Sequence, residues 1–445
     1  MMRSEGPLSR ILGSEAFFHF IGNRPFLSDR LLSETLYYHE KCKVDYKTKA
    51  HKEANKMLQN PSNLDTAQAA IRPFRVNIPQ ADLDDLAYRL SRTRWPNALN
   101  GAEWKYGVSL DYVQSLAEYW QNAYDWRKHE ARINAYPQFT TEIQGANIHF
   151  IHVRSPEPDA LPLLLTHAWP SSIAEFLDVI GPLSDPRSHG GDPADAFHLV
   201  IPSVPGFGFS GSSLDAGWSI ARIAKAWTEL MHRLGYDRYG VHGSDCGALV
   251  SREMGLQHAE GLLGLHVLQL FSFPSGDPAE MADLSEEDGR RLQFLANFQE
   301  RAGFNAIQST RPQTLSYGLT DSPAGQLSWI AEMFNGFGDH VDAIDRDALL
   351  TNVSIYWLTN TAESSTRLYY ENAHDSEATS PVPNDMPTGL AVFGDDFKSI
   401  RKFAERDNTN IIHWSEFERG THFAAYDQPT ALAGDLQAFF RSLRR

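Results

Sequence analysis

What most constrains this chain is a repeated alternation of short apolar runs, each the length of a strand, with stretches of helical spacing. The runs are IHFIHV (148–153), LPLLLTH (161–167), FHLVIPSV (197–204), YGVHG (239–243), LLGLHVLQL (262–270), TGLAVFG (388–394) and NIIHW (410–414). Strands that are apolar along their whole length are buried on both faces, and helices between them supply the cover. Helical patterns run from Ser219 to Leu234 and from Ala431 to Leu443. The expectation is an α/β chain on a mostly parallel sheet flanked by helices.

The flanks of this pattern divide the chain. Residues 1–70 include the run KCKVDYKTKAHKEANKMLQNPSN, which has little apolar periodicity and reads as a poorly ordered extension. Residues 71–140 read as a helical region. Leu83, Leu86, Ala87 and Leu90 recur at helical spacing behind Asp82, a candidate cap, and Val113, Leu116, Ala117 and Trp120 mark a second helix. Between about 272 and 386 the strand signal stops. That insert is helical and aromatic, with Trp329, Phe334, Tyr356, Trp357, Tyr369 and Tyr370. It reads as a cap over a core formed by 141–271 and 387–445, at the sheet edge where such folds place their sites.

Composition excludes several classes. A formal charge of −16 repels nucleic acid and anionic membrane alike. No run reaches the roughly 20 apolar residues of a membrane helix, so no transmembrane segment is expected. The apolar patch near the N-terminus is broken by Glu15, His19 and Arg24 and lacks the form of a signal peptide. The two cysteines, Cys42 and Cys246, imply neither a disulfide framework nor a thiolate metal site, and point to a reducing, cytoplasmic setting. His149 and His152 sit three apart in a strand and face opposite sides, so they cannot share a metal. Gly206, Gly208 and Gly211 match G-x-G-x-x-G after a strand, but SSLDAGW delays the next helix, against a dinucleotide site. No metal and no cofactor is expected.

Three segments carry chemistry. Gly243-Ser244-Asp245-Cys246-Gly247 lies directly after a strand and before a helix. Glycines two positions either side of a central residue permit a sharp turn that pushes one side chain out at the sheet edge. Asp245 occupies that apex; Ser244 and Cys246 do not. On its own such a motif is an ordinary surface turn, and its strand–turn–helix setting is what raises it. Thr166-His167-Ala168-Trp169-Pro170-Ser171-Ser172 follows the strand LPLLL, where the N–H of Trp169, with that of Cys246, forms a candidate oxyanion hole. Near the C-terminus, Gly420-Thr421-His422-Phe423 places a histidine in a small-residue loop after the last strand. Among 17 histidines, His422 stands out by its order behind Asp245 and the acids that follow TGLAVF, Asp395 and Asp396.

From about residue 72 to 445 the chain resembles the microsomal-type epoxide hydrolases. IRPFRVNIPQADLDDLAYRLSRTRWP is similar to the opening of that family's N-terminal helical meander, and HAWPSS to its HGxP motif. GSDCG resembles its nucleophile elbow, IQSTRPQTLSYGLTDSPAGQLSWI and LLTNVSIYWLTNTAESSTRLYYEN its cap, and RGTHFAAYDQP its histidine loop. The resemblance implies an α/β-hydrolase fold with a helical cap and an enzyme needing no cofactor. Its substrates would be water and a small apolar epoxide, and a homodimer is left open. It implies Asp245 as nucleophile, His422 as base, Asp396 as the acid through the register PTGLAVFGDDF, with Asp395 in reserve, and Tyr369 as proton donor, with Tyr370 its bystander.

The chain departs from that pattern in three places. Phe304 stands where the family has the first of two cap tyrosines and cannot donate a hydrogen bond, though with Trp169 it would line the substrate pocket. Cys246 replaces a tryptophan, and Ala168 replaces the glycine of HGxP, tolerable only if φ stays negative. These changes keep alternatives open: epoxide opening coupled to cyclisation, or a degenerate hydrolase that only binds a ligand. Haloalkane dehalogenation also uses an elbow aspartate, but the missing tryptophan after Asp245 counts against it.

Overall fold

The computed structural model of the chain describes residues 70–213, 215–375 and 382–444. The expected extension, as far as residue 69, and Cys42 lie outside the described residues. The strands are β1 (Arg72–Phe74), β2 (Gln138–Ile143), β3 (Ala146–Val153), β4 (Leu161–Thr166), β5 (Phe197–Pro202), β6 (Tyr239–Gly243), β7 (Leu262–Val267), β8 (Thr388–Val392) and β9 (Ile411–Glu416). They form one nine-stranded sheet in the order β1-β2-β3-β5-β4-β6-β7-β8-β9. From β5 across to β9 every pairing is parallel, while β1, β2 and β3 join the β5 edge antiparallel.

Burial explains the central order. In β4 and β5, Leu163, Leu165, Leu199 and Ile201 pack into one core, and their neighbours Leu164 and Val200 pack into another. Alternate side chains thus leave opposite faces, and both faces are covered. Each fully buried Leu or Ile contributes about 1.5–3 kcal/mol relative to exposure. The helices Ile220–Arg233 and Pro429–Arg441 lie close to the spans expected for them. Two strands escaped the sequence reading. β1 is three residues long, and β2, QFTTEI, is too polar to look like its buried neighbours. Asp82 is also corrected: the first helix starts at Gln80 behind Pro79, and Asp82 lies within its first turn. There its charge still suits the helix dipole.

Residues 272–375 are helical, with Glu286–Arg301, Gly303–Thr310, Pro312–Asp321, Pro323–Phe334, Arg346–Thr359 and Ala362–Ala373 as the main segments. The first begins at a reciprocal cap between Ser285 and Asp288. The helices Leu110–Asn122 and Trp126–Ile133 brace this layer from outside. Trp120 Nε1 donates to Ser354 Oγ (2.9 Å), the Tyr119 hydroxyl donates to Asp347 (2.7 Å), and Tyr124 pairs with Thr351 (3.0 Å). The indole and phenol ends of these large apolar side chains therefore find partners where they are drawn in. Among the described residues no helix is long and apolar enough to cross a membrane.

Candidate active site

β6 ends at Gly243, and the chain turns at Asp245 into the helix Cys246–Leu256. Asp245 has φ 50° and ψ −118°, a backbone state that costs a residue with a Cβ about 1–3 kcal/mol. A Cβ on Gly243 would lie 2.1 Å from the carbonyl carbon of Gly247, and one on Gly247 would lie 2.1 Å from Thr166 O. Both positions admit only glycine, which is the physical content of G-x-D-x-G. The same turn sends the flanking side chains inward. Ser244 Oγ donates to Glu175 Oε1 (2.8 Å), and Cys246 Sγ lies 3.4 Å from His167 O. Burial pushes the Cys246 thiol well above its usual pKa, which leaves it a poor nucleophile.

The Asp245 carboxylate is held by backbone donors. The Trp169 N–H donates to Oδ1 (3.1 Å), and the Cys246 N–H also hydrogen-bonds the carboxylate. His422 Nε2 lies 3.7 Å from Oδ2, and on the far side of the ring Nδ1 donates to Asp396 Oδ1 (2.8 Å). Side-chain exposure is 22% for Asp245 and 30% for His422, but only 7% for Asp396. Asp245 and His422 are thus reachable and Asp396 is not. Asp395 is exposed and sits outside this line. Gln269 Oε1 accepts from the Asp245 N–H (2.7 Å), and its Nε2 donates to Asp396 Oδ2 (2.5 Å).

The charges of this line stabilise one another. Burial works against the Asp245 carboxylate, but His422 and the N–H groups of Cys246 and Trp169 outweigh it and hold its pKa below the ordinary value. Burial likewise opposes an imidazolium at His422, yet Asp396 and Asp245 together raise its pKa well above that of free imidazole.

The loop carrying Trp169 is fixed from below and above. Ala168 N–H donates to Glu175 Oε2 (3.0 Å), so Glu175 ties this loop to the elbow. Burial pushes the Glu175 carboxyl up to about 6, against the opposing pull of these hydrogen bonds. From the insert, Asn352 Nδ2 donates to Pro170 O (2.6 Å), the Tyr356 hydroxyl to Ser171 O (2.6 Å), and Trp169 Nε1 to Ser365 Oγ (3.2 Å). The Trp169–Pro170 peptide is cis, and Ala168 is fully buried without a positive φ, which is how its Cβ is accommodated.

Aromatic rings wall the space beside Trp169. Phe304 stacks on Trp169 with centroids 5.4 Å apart, and Tyr369 meets both edge-on, at 5.2 Å from Trp169 and 6.0 Å from Phe304. The structure therefore brings Phe304 and Tyr369 together at one wall. Burial and the Asp245 charge raise the Tyr369 phenol well above its usual pKa, so it stays a protonated donor. Tyr370 is 38% exposed and stacks on His374 instead. His149 and His152 are bound up elsewhere in the sheet, with Ser203 and Gln138, and with Tyr236. Among the described residues no group of three or more His, Cys, Asp or Glu is placed to hold a metal ion. The sequence reading missed Glu175 and Gln269. Each is a polar side chain in a mainly apolar run, IAEFLDVIG and LLGLHVLQLF, next to a segment already singled out.

The chain is similar to known proteins in sequence and fold. The family model "Epoxide hydrolase N terminus" matches residues 71–176, and "alpha/beta hydrolase fold" matches residues 162–315. A protein of Stigmatella aurantiaca (strain DW4/3-1), named for epoxide hydrolase activity, is 45% identical over 84% of this chain and 86% of its own length. Epoxide hydrolase 1 of Sus scrofa is 33% identical, over 84% of this chain and 90% of that protein. The crystal structure of juvenile hormone epoxide hydrolase from the silkworm Bombyx mori superposes with a TM-score of 0.78 at 28% identity. That match covers 86% of this chain and 97% of that one.

Proposed function

This chain belongs to the epoxide hydrolases, enzymes of the α/β-hydrolase fold, and on that premise we propose that Asp245 is the nucleophile, His422 the base, Asp396 its orienting acid and Tyr369 the proton donor. The observation that carries this assignment is His422 set between two carboxylates, with Asp245 Oδ1 already on the Trp169 N–H.

In the first half-reaction Asp245 Oδ2 attacks an epoxide carbon and the C–O bond of the ring breaks. The Tyr369 hydroxyl, kept protonated by burial and the nearby Asp245 charge, donates its proton to the departing ring oxygen. An ester and a neighbouring hydroxyl result. Esterification removes the negative charge of Asp245 and with it one of the two carboxylates that hold His422 protonated. The imidazolium then gives up its proton, which returns through solvent to the Tyr369 phenolate, and the neutral imidazole serves as base. It takes a proton from water, whose oxygen attacks the ester carbonyl carbon. The charge that develops on Oδ1 falls on the N–H groups of Trp169 and Cys246. Collapse breaks the acyl C–Oδ2 bond, the second proton of the attacking water passes to Oδ2 as the diol leaves with it, and Asp245 keeps the oxygen of water as a carboxylate.

The aromatic wall of Trp169, Phe304 and Tyr369 favours an apolar epoxide. Water, rather than a hydroxyl of the substrate, completes the reaction, so we set diol formation ahead of cyclisation. The core (141–271 and 387–445) supplies the nucleophile, base and acid, the cap (272–386) supplies the donor, and the region 71–140 braces the cap. A buried, reduced Cys246 suits a cytoplasmic setting, which fractionation would check, and sedimentation would decide whether the chain forms a homodimer.

The deciding experiment is one turnover of styrene oxide in H₂¹⁸O. The expected diol is unlabelled, and ¹⁸O appears in the peptide containing Asp245. Labelled first-turnover diol with an unlabelled peptide would mean direct attack of water and would overturn the covalent assignment.

A further inference from the structure

Like His422, Gln269 touches both Asp245 and Asp396. It follows β7 and is 1% exposed. Its amide has one workable orientation. Oε1 faces the Asp245 N–H at 2.7 Å, and Nε2 faces Asp396 Oδ2 at 2.5 Å. Reversing the amide would set donor against donor at one end and oxygen against carboxylate at the other. Two bridges therefore run side by side between the elbow and the acid. His422 links the two carboxylates, and Gln269 links the backbone of the elbow to the second oxygen of Asp396. The carboxylate of Asp396 is held at two points, Oδ1 on His422 and Oδ2 on Gln269, and so cannot rotate.

We propose that Gln269 is a positioning residue for the hydrolytic half-reaction. It fixes Asp396 relative to the turn at Asp245, and so aims His422 Nε2 at the ester carbonyl. Attack by Asp245 on the epoxide does not need that aim, because the imidazole gives up no proton in the first step. The inference rests on Asp245 being the esterified residue.

Gln269→Glu separates the two halves of the bridge. It keeps an oxygen for the Asp245 N–H but places a carboxyl against Asp396. The new pair can copy the native bridge only while it shares a proton, and two charged carboxylates so close repel. Rapid quench of wild type and variant with styrene oxide, followed by mass spectrometry of the intact protein, gives the rates of ester formation and ester loss across pH.

The expected result is ester formation within about threefold of wild type. Ester loss falls on the order of 10- to 100-fold at neutral pH, the scale set by misaimed reacting groups. It should also gain an alkaline limb, with the rate relative to wild type recovering at lower pH where the shared proton returns. Gln269→Met removes both contacts and should slow ester loss at every pH without that limb; if it does not fold, the glutamate variant still decides. Ester loss in Gln269→Glu with the wild-type rate and profile overturns the proposal. So does equal slowing of both steps with a lowered Tm, the mark of a plain packing role. The wild type serves as control. A modified Asp245 peptide there keeps the nucleophile assignment standing whatever Gln269 does, whereas an unmodified one overturns that assignment and this inference with it.

Discussion

Trp169 and Asp245 are joined before any substrate arrives: the backbone N–H of one donates to Oδ1 of the other at 3.1 Å. If Asp245 is the esterified residue, as proposed, the donor that holds the resting carboxylate is already where the oxyanion will form, and no reorganisation is needed between the two half-reactions. It also leaves Oδ2, the oxygen facing His422, as the one free to attack.

Asp245→Asn should therefore remove turnover while sparing the fold. The amide keeps an oxygen for Trp169 but has no nucleophilic carboxylate, and loss of such a group costs at least on the order of 10³-fold in kcat. His422→Gln should behave differently, consuming about one equivalent of epoxide and then stalling as the ester. Rapid-quench product counts and intact-protein mass separate the two, with circular dichroism as the check on folding. Continued turnover by either variant would remove that residue from the assigned chemistry.

The pH dependence should differ between the two steps. Asp245 has a lowered pKa, so the carboxylate needed for attack persists as pH falls through the ordinary carboxyl range. His422 still has Asp396 on Nδ1 once Asp245 is esterified, and that carboxylate favours the imidazolium, so the neutral imidazole needed for ester hydrolysis is lost as pH falls. Acidification should thus slow ester loss first, and the ester should accumulate. Single-turnover rates across pH test this; parallel loss of both steps would contradict it.

The sequence made the elbow legible because Gly243 and Gly247 are dictated by contacts made within the turn and to the end of β4. His422 was legible through its order in the chain. Asp396 and Asp395 could not be separated by local pattern, because what divides them is burial: one faces His422 and the other faces solvent. Tyr369 and Phe304 were reached only by resemblance. Gln269 and Glu175 depend on which strands and loops become neighbours, and a polar residue in a mainly apolar run does not say what it will meet. β1 and β2 were missed for a related reason, since short or amphipathic edge strands lack the continuous apolar signature of the centre.

Phe304 and Tyr369 make a separate test. Their rings lie 6.0 Å apart at the wall formed with Trp169, so Phe304→Tyr tests whether a hydroxyl there can join that of Tyr369. Phe304→Tyr should raise kcat/KM for a simple epoxide by up to about tenfold. Tyr369→Phe should lower it by on the order of 10²-fold, as expected for loss of a general acid. Ester formation is the step to measure. An unchanged rate in Phe304→Tyr would show that a second donor does not limit ring opening.

Glu175 yields a prediction about stability. Its folded pKa is raised from 4.5 to about 6 by burial, so the folded state holds its proton more tightly than the unfolded one. Its effect on stability is therefore absent below the unfolded pKa, and stability declines as pH rises through the window from 4.5 to about 6. At about 1.4 kcal/mol per unit the total cost at neutral pH is about 2 kcal/mol. Glu175→Gln should abolish this decline, because a neutral amide accepts from the Ala168 N–H and pairs with Ser244 Oγ without a buried charge. Urea unfolding of the two proteins at several pH values measures the difference. The glutamine variant should match wild type at low pH, exceed it at neutral pH and retain activity. Glu175→Leu, which strands both partners, should lose stability at every pH and slow ester formation and hydrolysis together, because the Trp169 loop then loses its tie to the elbow. Parallel pH–stability curves for wild type and the glutamine variant would mean that Glu175 carries no proton-linked cost.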